Sequence, residues 1–213
     1  APPPAPVFPE VFRAKETPSE ISSTIQGIHY SREPLQLSEN PPEGNPDNVF
    51  GDGLYAAEPQ DEEMWRKMDR LTLGENRNEL NFIPQNPLVV TPDSITSLIE
   101  KSGALEKEYP DRAFDKWLSE QVRNGPHDAL VVRGFAEDMW GALVPVEKRI
   151  RELWKPQFLE GRTSGTFTNV DEFKAATEQA YREILGVPSK YADIFANQQN
   201  QIFVPPNKIG VVQ

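Results

Sequence analysis

The chain has 213 residues, no cysteine, 26% charged residues and a formal net charge of -11. Without cysteine there is no disulfide, thiolate zinc site, iron-sulfur cluster or cysteine nucleophile, so packing or partners must supply stability. The charge is uneven: residues 1–90 hold 15 acids and 7 bases, a net of -8, and residues 91–213 hold 18 acids and 15 bases, a net of -3. Phosphate backbones need a clustered positive surface, so direct nucleic-acid binding is not expected.

The mean hydropathy is -0.59, and no run approaches the roughly 18 apolar residues of a spanning helix. No basic segment followed by an apolar run opens the sequence, so no signal peptide is read here. Ala1 fits removal of an initiator Met or cleavage at another site. The expected setting is a virion or an intracellular assembly, away from membranes.

Residues 1–58 read as an extended, proline-rich acidic arm. Thirteen of the 21 prolines fall in residues 1–90, and their spacing leaves little room for a helix before Glu58. Short apolar groups recur between the prolines: Val7, Phe8, Val11 and Phe12, then Ile21, Ile25, Ile28 and Tyr30, then Val49, Phe50, Leu54 and Tyr55. Such groups suit a strap lying in a groove, with proline lowering the cost of ordering it.

Residues 59–90 read as a connector. Asp61, Glu62 and Glu63 favour the start of a helix over about 60–72, with Met64, Trp65, Met68 and Leu71 on one face and Gly74 at the stop. The following LGENRNELNFIPQNP reads as loop, and Leu88–Val90 as a short strand or buried contact.

Residues 91–197 read as a helical module. TPDSITSLIEKSG places Thr91 as N-cap, Pro92 at the first helical position and Gly103 after the end. YPDRAFDKWLSEQVRNG is a second amphipathic helix between Pro110 and Gly125. The apolar pattern Leu130, Phe135, Met139, Leu143, Val146, Ile150 and Leu153 is the longest, with Pro145 expected to break or kink it. Thr168 or Asn169 caps a further helix that ends at Gly186, and PSKYADIFANQ gives a shorter one. Residues 198–213, QIFVPPNKIGVVQ at their core, read as a short extended C-terminal tail. The fold class expected is therefore mainly α: an irregular helical bundle flanked by two extended segments.

Chemistry-bearing motifs are sparse. The two histidines, His29 and His127, are far apart in sequence and neither sits in an HExxH pattern. NPDNVFGDGLY mixes Asp47, Asn48 and Asp52 with glycine but fails the EF-hand spacing, because Phe50 and Pro59 fall where ligands are needed. GRTSGTF lacks the Lys-Ser/Thr ending and leading strand of a phosphate loop. The acid pairs Glu62–Glu63 and Glu137–Asp138 suit solvated faces, and Lys148, Arg151 and Lys155 interleave with Glu147 and Glu152 as a salt-bridged face. No catalytic residue, cofactor or metal is expected, although a pocket holding an Asp or Glu of strongly perturbed pKa would revive an enzyme reading.

These features point to a non-enzymatic structural subunit of a large assembly, a virion protein of the minor capsid, cement or head-tail connecting kind. Its partners would be other protein subunits, several at once, reached through Phe8, Phe12, Ile25, Tyr30, Phe50, Tyr55, Trp65 and Phe203. Trp117, Trp140 and Trp154 are core or interface anchors. The alternatives are a soluble adaptor whose Pro3–Pro6–Pro9 segment is captured by a peptide-binding domain, or an accessory subunit of an organellar or cytoskeletal complex. A strap seated on other chains predicts fast amide exchange before residue 58 and sharp helical order over 91–197 in the isolated protein.

Overall fold

Two apolar triplets, Leu88–Val90 (β4) and Leu130–Val132 (β5), are too short and too β-branched to run as helices, and they pair in parallel at one side of a sheet, with β4 at its edge. Gln201–Val204 (β6) lies antiparallel to β5, and Leu54–Ala56 (β2) lies antiparallel to β6, so the order is β2-β6-β5-β4. The computed structural model describes residues 6–15, 20–37, 49–68, 74, 76–159 and 170–213, with the backbone alone for 154–159.

Alternation along these strands sends side chains into two separate cores. Leu88, Val90, Leu130, Val132 and Phe203 join one core with Ile95, Ile99, Phe114, Leu118, Ile194 and Phe195 of the helical layer. Leu54, Ala56, Val131, Ile202 and Val204 join the other with Ile25, Leu80 and Phe82. Covered on both faces, the sheet reads as unbroken apolar runs.

The helical layer consists of α2 (Ile95–Ser102), α3 (Pro110–Arg123), α4 (Val144–Leu159), α5 (Val170–Leu185) and α6 (Ser189–Ala196). Gly103 and Gly186 close α2 and α5 with φ of 67° and 75°, a region that costs other residues about 1–2 kcal/mol. The second layer is an antiparallel ribbon of β1 (Ile25–Ser31) and β3 (Asn76–Phe82), paired from Ile25–Phe82 to Ser31–Asn76. A short helix, α1 (Glu62–Met68), lies between β2 and β3 in the chain.

Backbone hydrogen bonds tie the ribbon to the larger sheet at one side and to the chain end at the other. Ile28 and Ala57 exchange N–H···O bonds of 2.7 and 2.9 Å, and Asn81 exchanges bonds of 2.9 and 2.8 Å with Gln213. Residues 20–37 and 198–213 are thus built into the same fold.

The expectation of a mainly α bundle with extended arms is overturned: the protein is mixed α/β, with a four-stranded and a two-stranded sheet among the described residues. Proline spacing excluded helices before Glu58, and strands satisfy that exclusion as well as an extended arm does. The segment read as loop contains β3, whose inward signal is carried by Leu80 and Phe82 alone among Asn, Arg and Glu. The long apolar pattern from Leu130 divides into a strand and α4, and Pro145 sits in the first turn of α4, where no amide donor is missed.

Other boundaries move less. Thr91 and Ser94 form a reciprocal turn, with Thr91 N donating to Ser94 Oγ at 2.9 Å and Ser94 N to Thr91 Oγ1 at 3.3 Å, so α2 begins at Ile95. Gly125 and Gly186 follow α3 and α5 as expected. Leu71, Thr168, Asn169 and the segment GRTSGTF lie outside the described residues.

Gly27 is closely packed where β1 meets Phe82 of its own ribbon and Ala56 of the larger sheet. A Cβ there would enter the ring of the fully buried Phe82 and stand 3.1 Å from Ala56 Cβ. Gly27→Ala is expected to lower unfolding free energy by about 1–3 kcal/mol, and by less in a Phe82→Leu background, where the ring is gone. Urea unfolding of the four proteins checks this; equal losses in both backgrounds would place the cost elsewhere.

Candidate functional site

The N-terminal strap is seated on its own chain. Pro9, with φ of -64°, leads into a single 3-10 turn over Glu10–Phe12, which turns Phe8 and Phe12 inward and leaves Val7 and Val11 outward. The Phe8 ring lies 4.6 Å from Phe195, 5.6 Å from Phe135 and 5.9 Å from Phe12. Arg13 lies over Phe8 and pairs with Asp93 at 2.8 Å. Ala14 N donates to Gly134 O and Ala136 N to Phe12 O, both at 2.9 Å, so the strap runs as an extra edge beside the segment after β5.

The other residues expected to grip partners are also used internally. Ile25 is buried in the second core. Phe50, Tyr55 and Phe203 form one aromatic group, with Phe203 centred 5.4 Å from Phe50 and 4.9 Å from Tyr55. Tyr55 Oη donates to Gly51 O at 2.7 Å and accepts from Phe50 N at 3.0 Å, and burial raises its pKa. Tyr30 donates to Glu62, and Trp65 Nε1 donates to Asn200 O at 3.0 Å. Phe8, Phe12, Ile25, Phe50 and Phe203 thus pack within the chain's own cores.

Trp65 borders a buried polar knot that joins three distant parts of the sequence. Arg133, directly after β5, donates Nε–H to Glu58 Oε2 at 2.9 Å, and its Nη2 meets Glu58 Oε1. Asn200 Nδ2 donates to Asp61 Oδ1 at 3.0 Å and to Phe135 O at 2.9 Å, while Asn200 Oδ1 accepts from Phe135 N at 3.0 Å. Glu58, Asp61, Arg133 and Asn200 are all buried, and desolvation raises the Asp61 pKa against the opposing bond from Asn200.

The outward apolar set is different from the expected one. Val7 is 83% exposed and Val11 54%, four residues apart on the strap. Trp140 is 59% exposed and Val144 57%, four residues apart at the start of α4, while Met139, Leu143 and Val146 between and beyond them are buried. Asp138 Oδ1 accepts from Gly141 N at 2.7 Å and fixes the turn that holds Trp140 outward. Trp117 instead stacks on Phe114 at 6.2 Å, within the core margin. Along α4, Arg151 pairs with Glu147 at 3.6 Å and Arg149 with Glu152 at 3.9 Å, so these basic positions are charge-compensated; the side chains of Trp154 and Lys155 lie outside the described residues, as do Asp47 and Asn48.

Among the described residues the titratable groups stand at separate places. His29 donates Nδ1–H to Tyr55 O at 2.7 Å and burial lowers its pKa, which keeps it neutral; His127 Nδ1 contacts Asn86 O at 3.2 Å. The Gly51–Gly53 turn is held by Arg123, which donates to Phe50 O at 2.7 Å and to Asp52 O, so a cation already serves its carbonyls. An open groove of about 740 Å³ is lined by Leu35, Gln36, Leu37 and Arg77–Leu80, where Arg77 binds Glu62 at 2.7 and 3.0 Å and also meets Glu79. Two aspartates do carry strongly raised pKa values, Asp115 to about 7 and Asp193 to about 6, both chiefly through burial. They lie on α3 and α6, and no signal in the sequence distinguished them from the other acids.

Among the described residues no group of three or more histidine, aspartate or glutamate side chains could hold a metal ion, and no helix is long and apolar enough to cross a membrane. Comparison with known proteins yields no matching family model, no matching curated protein and no matching solved structure.

The knot makes a stability prediction. Arg133→Met leaves Glu58 buried and unpaired and is expected to cost about 3–5 kcal/mol, whereas Arg133→Met with Glu58→Leu removes both charges and should recover most of that loss. Chemical denaturation of the two variants decides; a double variant as weak as the single one would mean that the pair is not the source of the cost.

Proposed function

We propose that the protein is a non-enzymatic subunit of a multiprotein assembly that docks on neighbouring chains through outward apolar side chains. The observation that carries this reading is the exposed Trp140–Val144 pair, held on a capped turn while its neighbours in sequence fill the core. Burying a large apolar side chain is worth about 1.5–3 kcal/mol, so an exposed Trp on a fixed turn is a ready anchor for a partner surface. Val7 and Val11 supply a second outward pair on the strap, whose Phe12 carbonyl is bonded to Ala136, four residues before Trp140. The partners are protein subunits. A virion is the proposed setting, and it rests on composition alone: no cysteine, no glycosylation acceptor and a proline-rich, acidic first half.

Trp140→Asp with Val144→Asp tests the reading. Both positions are exposed, so the fold should change by no more than about 0.5 kcal/mol. Incorporation into the native particle or complex, followed by sedimentation of source extracts, should fall about tenfold or more, the equivalent of about 1.4 kcal/mol. Wild-type chain sedimenting as a free 24.1 kDa species, or a double variant that assembles normally, would sink it.

A further inference from the structure

The strap is held as an added strand. Arg13 pairs antiparallel with Phe135. Ala14 N donates to Gly134 O and Ala136 N to Phe12 O on one edge of that segment, while Asn200 takes the N–H and C=O of Phe135 on the other. Main-chain bonds of this kind hold any extended segment, and the side chains select which one. Selection here falls to Phe8, set against Phe135 and Phe195, to Phe12, set against Phe195, and to Arg13, bonded to Asp93 at 2.8 Å just ahead of α2.

The seat formed by residues 134–136, Phe195 and Asp93 is costly to leave empty. Without the strap, the buried Phe135 and Phe195 rings would lose the Phe8 ring that covers them, and Gly134 O and Ala136 N would lose their partners. The strap itself is separable from the rest of the chain. From Ala14 to Thr24 the described residues hold no helix or strand, and the ten residues 15–24 lead to β1 in the second core. Withdrawing the strap therefore breaks its contacts with the seat and interrupts no described element.

We propose that the seat is exchangeable between copies of this chain: the strap of one copy fills the seat of a second, and the second copy's strap fills the seat of the first. A swapped pair makes the same strap contacts as the single chain, so those contacts do not separate the two arrangements. Concentration does. A short tether holds the strap near its own seat at an effective concentration of about a millimolar, so dilute chain keeps its own strap and crowded copies exchange. The crowding inside an assembly rests on the function proposed above; exchange in concentrated solution of the purified chain does not.

A charge exchange between full chains tests the proposal. Arg13→Asp sets like charges between strap and seat within one chain, and Asp93→Arg does the same within the other. Once the two variants are mixed, each strap meets an opposite charge only on the other variant's seat. The contact of Arg13 with Glu10, at 3.3 Å, lies inside the strap and is the same in both arrangements. At about 0.1 mM, a tenth of the tether's effective concentration, the mixture should form a 1:1 complex about tenfold more than either variant alone or wild type, the bias expected from two exposed pairs. Sedimentation and native mass spectrometry read the result, and a mixture no more associated than its components overturns the exchange.

Should either variant fail to fold, wild type decides. Labelled and unlabelled wild-type chain, unfolded together, refolded and concentrated to about 1 mM, should show intermolecular ¹³C-filtered NOEs from Phe8 and Phe12 to Phe135 and Phe195; their absence overturns the exchange. Trp140→Asp with Val144→Asp touches neither strap nor seat, so the two readings fail separately. Exchange in the mixture together with normal assembly of that variant sinks the docking face alone. A monomeric mixture together with failed incorporation sinks the exchange alone.

Discussion

The ion pair between Glu58 and Arg133 is the constraint on which the arrangement depends. Both charges are out of water, so each is tolerable only with the other in place, and the favourable geometry is a two-pronged one. Glu58 follows β2 and Arg133 follows β5, and the pair fixes where those two strands end relative to each other. Asn200 then ties Asp61 to Phe135 just before β6 begins. Three chain segments separated by scores of residues are brought to one point by groups that cannot be left unpaired.

With those strand ends fixed, the central sheet can be apolar on both faces. The helical layer takes one face and the β1–β3 ribbon takes the other, so neither half of the sequence has a complete core by itself. This explains how proline-punctuated stretches ahead of Glu58 are ordered: Phe8 and Phe12, Ile25 and Ile28, and Phe50 and Leu54 each have a prepared place. The glycine at position 27 shows how close the layers are, because a Cβ there would stand 3.1 Å from Ala56 of the larger sheet.

The strap and α6 form a smaller unit on the rim. Phe8 and Phe12 contribute to the main core, held by one turn, two backbone hydrogen bonds, the Arg13–Asp93 ion pair and ring contacts with Phe135 and Phe195. Val7 and Val11 face outward from the same strap.

Several features were legible from residues alone. Gly103 and Gly186 end helices because a left-handed residue is needed there, Pro110 opens α3, and the amphipathic spacing of Phe114, Leu118 and Val122 marks its buried face. Leu88–Val90 was readable as a short strand or a buried contact, and it is a strand. β1 and β3 were not, because a strand half of whose residues are polar differs from a loop only through its partner, and that partner lies some fifty residues away. The Trp140 turn was visible only as one of four tryptophans, with nothing local to say which faces water. What the sequence by itself determined is where α-helices cannot form, where they stop, and that no cysteine is available. Only the tertiary structure decided that the apolar groups of the first half pack into the chain's own cores, since burial belongs to pairs of segments and is not written in either one.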